Sequence, residues 1–250
     1  MSGASSLRST WLGRVDYVDG WRLQEAVAAR VRAGDDERLL LLEHGPVYTI
    51  GRRGTIDHLL AGFDELRRTG ASVYRVDRGG DITYHGPGQL VGYPVVRLGA
   101  APDLVRYVRA IEGTLLDMLA SYGVAARTER GKTGVWVDLP GTGAAAKVAA
   151  IGVRVSRGVT THGFALNVRT DLAAFERMLP CGFAHQVTSL QRLGVSAEVR
   201  EVAERAAAAL ADRLGRRLTW SDVEPVRDGE IAADAPVRSA VDLTGEAVAV

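Results

Sequence analysis

The sequence predicts an α+β fold, a mixed β-sheet packed with helices, organised around one main domain. Three observations carry that reading. Leu39 to Leu42 is an unbroken leucine run, which suits a strand covered on both faces. Arg157-Gly158 lies between two strand-like runs and reads as a two-residue hairpin turn. Leu104, Val108, Ile111, Leu115 and Leu119 recur at helical spacing, and Ala197 to Leu214 is a second, alanine-rich amphipathic stretch.

Taken in order, residues 1–14 read as a loose arm. Asp19 is expected to cap a helix that reaches Ala33 and stops at Gly34. The leucine strand, Leu39 to Glu43, is broken by His44-Gly45-Pro46, and Val47 to Ile50 resumes it. Gly51-Arg52-Arg53-Gly54 is a loop, read either as a solvated turn or as a surface facing an anion. A short helix over Phe63 to Arg68 ends at Gly70, and Ser72 to Val76 is a strand. Arg78 to Gln89 (RGGDITYHGPGQ) holds four glycines and a proline, so tight turns are expected around Ile82 to Tyr84. It matches neither GxxxxGK[ST] nor GxGxxG after a strand. Leu90 to Leu98 returns to strand, and Pro102-Asp103 opens the helix through Leu119, which is assigned core packing only. Val124 to Arg127 and Gly134 to Val137 are short strands, and Asp171 to Leu179 is a helix. The main domain is expected over residues 1–224, with 225–250 a flexible extension.

Bulk properties narrow the function. Of the 250 residues, 46% are hydrophobic and 24% charged, which suits a globule with a real core. A formal net charge of +1 argues against a dedicated nucleic-acid binder. One cysteine excludes an internal disulfide framework and fits a reducing compartment. No signal peptide and no membrane-spanning run is visible, so a cytoplasmic protein with no membrane partner is expected.

The chemistry is expected between Lys147 and Thr188. With Arg157-Gly158 as the turn, opposed residues place Gly152 against Gly163 and Ala150 against Ala165, all on one face. So bare a face invites a close neighbour, either a helix or a flat ligand. The other face carries Ile151, Val153, Phe164, Leu166 and Val168, with His162 at the end of the row. Strict alternation puts Lys147 with that apolar row, unless the strand mouth or a bulge re-aims it. A lysine opening a strand is ordinarily a solvated edge residue; the sharper reading makes it a catalytic amine. Cys181 has two readings as well, an inert buried thiol or a nucleophile exposed by the Pro180-Cys181-Gly182 turn. A thiol of reference pKa ~8.5 beside an amine of ~10.4 favours thiolate and ammonium in water, while burial opposes the charge separation. His85, His162 and His185 are rival bases, and no metal-ligand spacing is present.

RGGDITYHGPGQ, KVAAIGVRVSRGVTTHGFALNV and PCGFAHQVTSL, in that order, resemble the three signatures of the octanoyltransferases of lipoate biosynthesis, the lipoyl(octanoyl) transferases. EHGPVYTIGRR at Glu43 to Arg53 resembles that family's N-terminal motif, with Gly45 where proline is frequent. The resemblance implies the biotin/lipoate protein ligase fold, which is class II aminoacyl-tRNA synthetase-like. It implies Cys181 as nucleophile and Lys147 as acid/base. Its substrate-lining segments fall on Arg78, Gly79, Gly80, Asp81, Ile82, Thr83, Tyr84 and His85, on Ala150, Ile151 and Gly152, and on Gly163, Phe164 and Ala165, with His162 in support. It implies no cofactor and no metal, the octanoyl group arriving on the phosphopantetheine arm of acyl carrier protein. The implied acceptors are lipoyl domains of 2-oxoacid dehydrogenases and the glycine cleavage H protein. Arg52, Arg53, Arg75 and Arg78 are the residues expected to steer an acidic carrier.

Overall fold

The computed structural model describes residues 5–179, 186–222 and 241–242. The segment 180–185, with Cys181 and His185, lies outside the described residues, as does most of the expected extension.

The first surprise is at the N-terminus. The expected loose arm is strand β1 (Ser6–Val15), paired in parallel with β2 (Glu37–His44) on one side and β12 (Arg217–Ser221) on the other. Leu7 and Ser9 are fully buried there. Polar Ser9 and Thr10 hide the alternation that would have revealed a strand. Between β1 and β2 runs α1 (Tyr17–Ala33), capped by Asp16, which accepts from the Val18 N–H, rather than by Asp19. Gly34 closes it at φ +116, where an L side chain would be strained.

The leucine run behaves as its composition requires. Leu39 and Leu41 enter one core with α3 (Leu104–Ala120) and α4 (Val199–Arg213), while Leu40 and Leu42 enter another with α1. The sheet is therefore covered on both faces. Past the His44-Gly45-Pro46 break the chain leaves it: β3 (Val47–Ile50), β4 (Ser72–Arg75) and β5 (Ile82–His85) form a smaller sheet with α2 (Phe63–Arg68) against it. The chain returns through β6 (Gln89–Val95), β7 (Arg127–Glu129), β8 (Lys132–Asp138), β9 (Ala145–Ser156) and β10 (Val159–Asn167). The main path runs β12-β1-β2-β6-β10-β9-β8-β7, with β11 (Gln186–Val187) added in parallel to β9. The expected helix at 171–179 is a 3-10 turn, Leu172–Arg177, begun by Asp171. Beyond residue 225, β13 (Val241–Asp242) pairs antiparallel with β4, so that part of the expected extension joins the small sheet.

The hairpin forms in the expected register. Gly163 faces Gly152 and Ala165 faces Ala150, around Arg157 and Gly158 at φ 51 and 76. Two positive φ values are what a type I′ turn demands. If β1 is an integral strand, Leu7→Ala should lower the stability measured by urea unfolding by roughly 2–5 kcal/mol. A loss below about 0.5 kcal/mol, the scale of an ordinary surface substitution, would return the segment to the status of an arm.

Candidate active site

The bare face of the hairpin has two close neighbours: the glycine-rich loop lies on Gly152, and Ala165 shares a core with α1. The Gly79 N–H donates to the Val153 carbonyl at 3.0 Å, so that amide is occupied by the chain and is not offered to a ligand. A Cβ at Gly152 would stand 2.9 Å from the Gly79 oxygen and 3.1 Å from Arg78 Cδ. The Gly51–Gly54 loop holds the far side of this contact. The amides of Gly51, Arg52 and Arg53 donate to the carbonyls of Asp81, Arg78 and Gly80. Between the two sheets the chain leaves a cavity of about 520 Å³, within the range of roughly 300–1,000 Å³ usual for small-ligand sites.

Residues 78–83 and His85, 150–153, and 162–165 all line this cavity. Tyr84 does not line it. Period-two alternation turns its ring into the small-sheet core, 5.1 Å from Tyr48 and 5.6 Å from Phe175. Arg78 is buried, donating to the Thr49 carbonyl and hydroxyl and to the Gly79 carbonyl. Burial pushes its guanidinium below the ordinary value, with Tyr17 and Asp81 opposing. So placed it cannot steer a partner in solution, which corrects one expected docking residue; Arg52 and Arg53 are exposed, and Arg53 lines the cavity. The first turn of α3 carries more than core packing, because Leu104 and Val108 also line the cavity.

Lys147 reaches the same cavity because the strand is irregular at that point. Between Val135↔Ala149 and Trp136↔Lys147 the β8–β9 register slips by one, leaving Val148 as the extra residue. That bulge re-aims the side chain that strict alternation would have sent elsewhere. Its Nζ stands 4.6 Å from the centroid of the buried Trp136 ring, a cation–π distance. Gly134, at φ +124, makes room: a Cβ there would lie 2.6 Å from the Ala149 oxygen and 3.4 Å from Lys147 Cε. On the other side, Val187 of β11 pairs with Lys147, and the Thr188 N–H donates to the Lys147 carbonyl at 3.0 Å. Residues 186–188 thus lie directly beside this lysine. Trp136 and Gly134 were not singled out in sequence, since an aromatic and a glycine in a short strand carry no signal of what they contact.

Behind the cavity lies a cluster of buried rings. His44 Nδ1 donates to the Val15 carbonyl at 2.8 Å, so its Nε2 accepts from the Tyr93 hydroxyl at 2.7 Å. Burial pushes His44 down to about 4 and His85 down to about 3. His162 is turned out of the expected apolar row by φ +56. Its N–H donates to Gln24 of α1 and its Nε2–H to Asp77, which also pairs with Arg154. Burial lowers His162, while Asp77 opposes. Burial would raise Asp77, but His162 and Arg154 outweigh it and hold the carboxyl below its ordinary value. Among the described residues no group of three or more metal-binding side chains occurs.

The comparisons with known proteins fall on this site. The family model for the lipoyl protein ligase A/B catalytic domain matches residues 16–211. An octanoyltransferase of Solibacter usitatus is 50% identical over 196 residues, covering 78% of this chain and 86% of that protein. The chain belongs to the octanoyltransferase family. A second octanoyltransferase, from Mycolicibacterium gilvum, is 46% identical over 219 residues, 87% of this chain and 89% of its own. Solved structures agree on the fold at 17% identity. A lipoate-protein ligase A bound with ATP superposes with a TM-score of 0.74 over 90% of this chain and 91% of that one. A bipartite lipoate protein ligase from Thermoplasma acidophilum, analysed with its E2 lipoyl domain, gives 0.72 over 90% and 89%. The expected biotin/lipoate ligase fold is therefore the observed one.

Two outcomes follow from the site's packing. Gly134→Ala adds a Cβ where φ and the Ala149 oxygen both refuse it, so octanoyl transfer should slow by roughly tenfold to a hundredfold; an unchanged rate would separate the bulge from the chemistry. His44 and His85 have folded-state pKa values below the ordinary 6.5, so their contribution to stability is complete above about pH 6.5. It is lost as the pH falls toward about 4 and then about 3. For His44 alone this amounts to about 3 kcal/mol. Urea unfolding across this window should lose stability in the native chain, and His44→Gln should flatten the slope. Equal slopes in both would contradict burial as the cause.

Proposed function

We propose that the chain transfers an octanoyl group from octanoyl-acyl carrier protein to a specific lysine of lipoyl domains, through a thioester on Cys181. The observation that carries this reading is the route from cavity to lysine. The cavity is walled by Ile82, Ile151, Val153, Phe164, Phe175 and Met178, a surface suited to an acyl chain, and Lys147 lies on it. Val187, six residues after Cys181, is paired with that same lysine. The identity of about half with octanoyltransferases supports the same reading.

The reaction runs in two halves. Lys147 takes the Cys181 proton, and the thiolate attacks the thioester carbon. The bond to the phosphopantetheine sulfur breaks, and the Lys147 ammonium returns its proton to that leaving thiolate. In the second half the neutral amine of the target lysine attacks the octanoyl-enzyme, the Cys181 sulfur leaves, and the amine's surplus proton passes to Lys147. Thioester exchange is nearly balanced and the amide formed is more stable, so ATP is not required and no cofactor enters. The acceptors are lipoyl domains of 2-oxoacid dehydrogenases and of the glycine cleavage H protein. The exposed Arg52, Arg53 and Arg75 favour an acidic carrier. No helix among the described residues is long and apolar enough to cross a membrane, in keeping with the cytoplasmic location we propose.

Incubation with octanoyl-acyl carrier protein should add one octanoyl mass to the chain by intact mass spectrometry. Cys181→Ala should abolish the adduct, and Lys147→Met should slow its formation by roughly a hundredfold or more. An adduct that survives Cys181→Ala would overturn the nucleophile. The structural neighbour bound with ATP favours one rival, an acid-activating ligase. Octanoate with ATP and no carrier protein would then modify a lipoyl domain, whereas acyl transfer predicts none.

A further inference from the structure

A line of hydrogen bonds runs through the buried residues beside the cavity, and its direction can be read from the amides. Gln89 Nε2 lies 3.2 Å from the Tyr84 carbonyl and 2.9 Å from Asn167 Oδ1. A backbone carbonyl only accepts, so that nitrogen is the donor and Gln89 Oε1 is the acceptor. His85 Nδ1 stands 2.8 Å from Oε1 and therefore carries the ring proton. Asn167 Nδ2 donates in turn to the Thr188 carbonyl at 3.0 Å. The Thr188 N–H donates to the carbonyl of Lys147. His85, Gln89, Asn167 and Thr188 are all buried.

A neutral ring protonated at Nδ1 keeps a lone pair at Nε2. That atom makes no hydrogen bond within the described chain and is not among the sealed side-chain atoms left without a partner. The ring lines the cavity.

We propose that Gln89 and Asn167 are positioning residues that lock His85 in the Nδ1–H tautomer, whose bare Nε2 takes a hydrogen bond from the attacking amine of the acceptor lysine. This rests on the transfer to an amine proposed above. An amine held by one N–H can turn its lone pair toward the thioester carbon, and that orientation is a large part of the barrier. His85 does not take the proton. Burial, with His44 and Arg78 nearby, holds it at about 3 despite the Gln89 bond, far below an ordinary amine at ~10.4. The proton goes to Lys147, whose backbone terminates the same line of bonds. One network therefore sets the spacing between the group that orients the amine and the group that deprotonates it.

The test uses the full chain labelled with nitrogen-15 at histidine. One ring, identified by its loss in His85→Gln, should show Nδ1 protonated and Nε2 bare from about pH 8 to about pH 5. Gln89→Leu removes the acceptor and should give a mixture with Nε2 protonated. The two halves of the reaction are then timed separately, loading from octanoyl-acyl carrier protein and discharge of the isolated octanoyl-enzyme to a lipoyl domain. Gln89→Leu and Asn167→Leu should slow discharge by roughly tenfold or more while loading changes little. If either leucine variant fails to fold, the ring tautomer of the native chain still decides, because it needs no variant at Gln89 or Asn167. A bare Nδ1 in the native chain overturns the proposal, as does equal slowing of both halves, the mark of a structural role. Native protein that loads no octanoyl group would sink the transfer reading instead, and the ring's protonation would still be read independently.

Discussion

Two backbones meet without side chains between them where Gly79 lies on Gly152, and the site exists because they can. The hydrogen bond from Gly79 to Val153 fastens the small sheet to the hairpin of the large one. On the carbonyl side, a Cβ on residue 152 would collide with the Gly79 oxygen. A cavity needs walls that approach closely at one edge and stand apart elsewhere. Here the glycines supply the approach, and Ile82, Ile151 and Phe164 supply the apolar wall. Closing the molecule at that seam leaves a walled cavity rather than a shallow surface.

The Lys147 side of the cavity is set by a second irregularity. An unbroken β9 would send residue 147 toward the same side as the apolar row. The extra residue at Val148 cancels that; Trp136 lies under the re-aimed amine, Gly134 leaves room for its stem, and β11 pairs with its backbone. None of these contacts is unusual alone. Together they place the amine of Lys147 on the cavity wall. The buried amide line from His85 to Thr188 then ties that side to the glycine-rich loop.

Much of this was legible in the residues. The leucine run announced a strand buried on both faces, and Arg157-Gly158 fixed a register that put four small residues on one face. The motifs carried the family and the lysine. What stayed hidden depends on contacts between distant segments. Strand β1 was missed because Ser9 and Thr10 are buried polar residues, and a polar residue gives no sign in sequence of the sheet that will cover it. The departure of β3 into a second sheet leaves no local mark. The turned backbone of His162 and the ring of Tyr84 facing away were equally invisible, because one follows from a positive φ and the other from which sheet face was covered. Gln89 and Asn167 look like ordinary strand residues until the fold brings them together, 78 positions apart.

The seam between Gly79 and Gly152 can be tested by a single methyl group. Gly152→Ala places a Cβ 2.9 Å from the Gly79 oxygen, so the loop must move off the hairpin and open the cavity. The KM for the octanoyl donor should then rise severalfold, and the urea midpoint should fall, because the displaced backbone also strains the Gly79–Val153 bond that joins the two sheets. A variant with native KM and kcat would show that the loop's approach does not shape the acyl site, and the account would fail at its root.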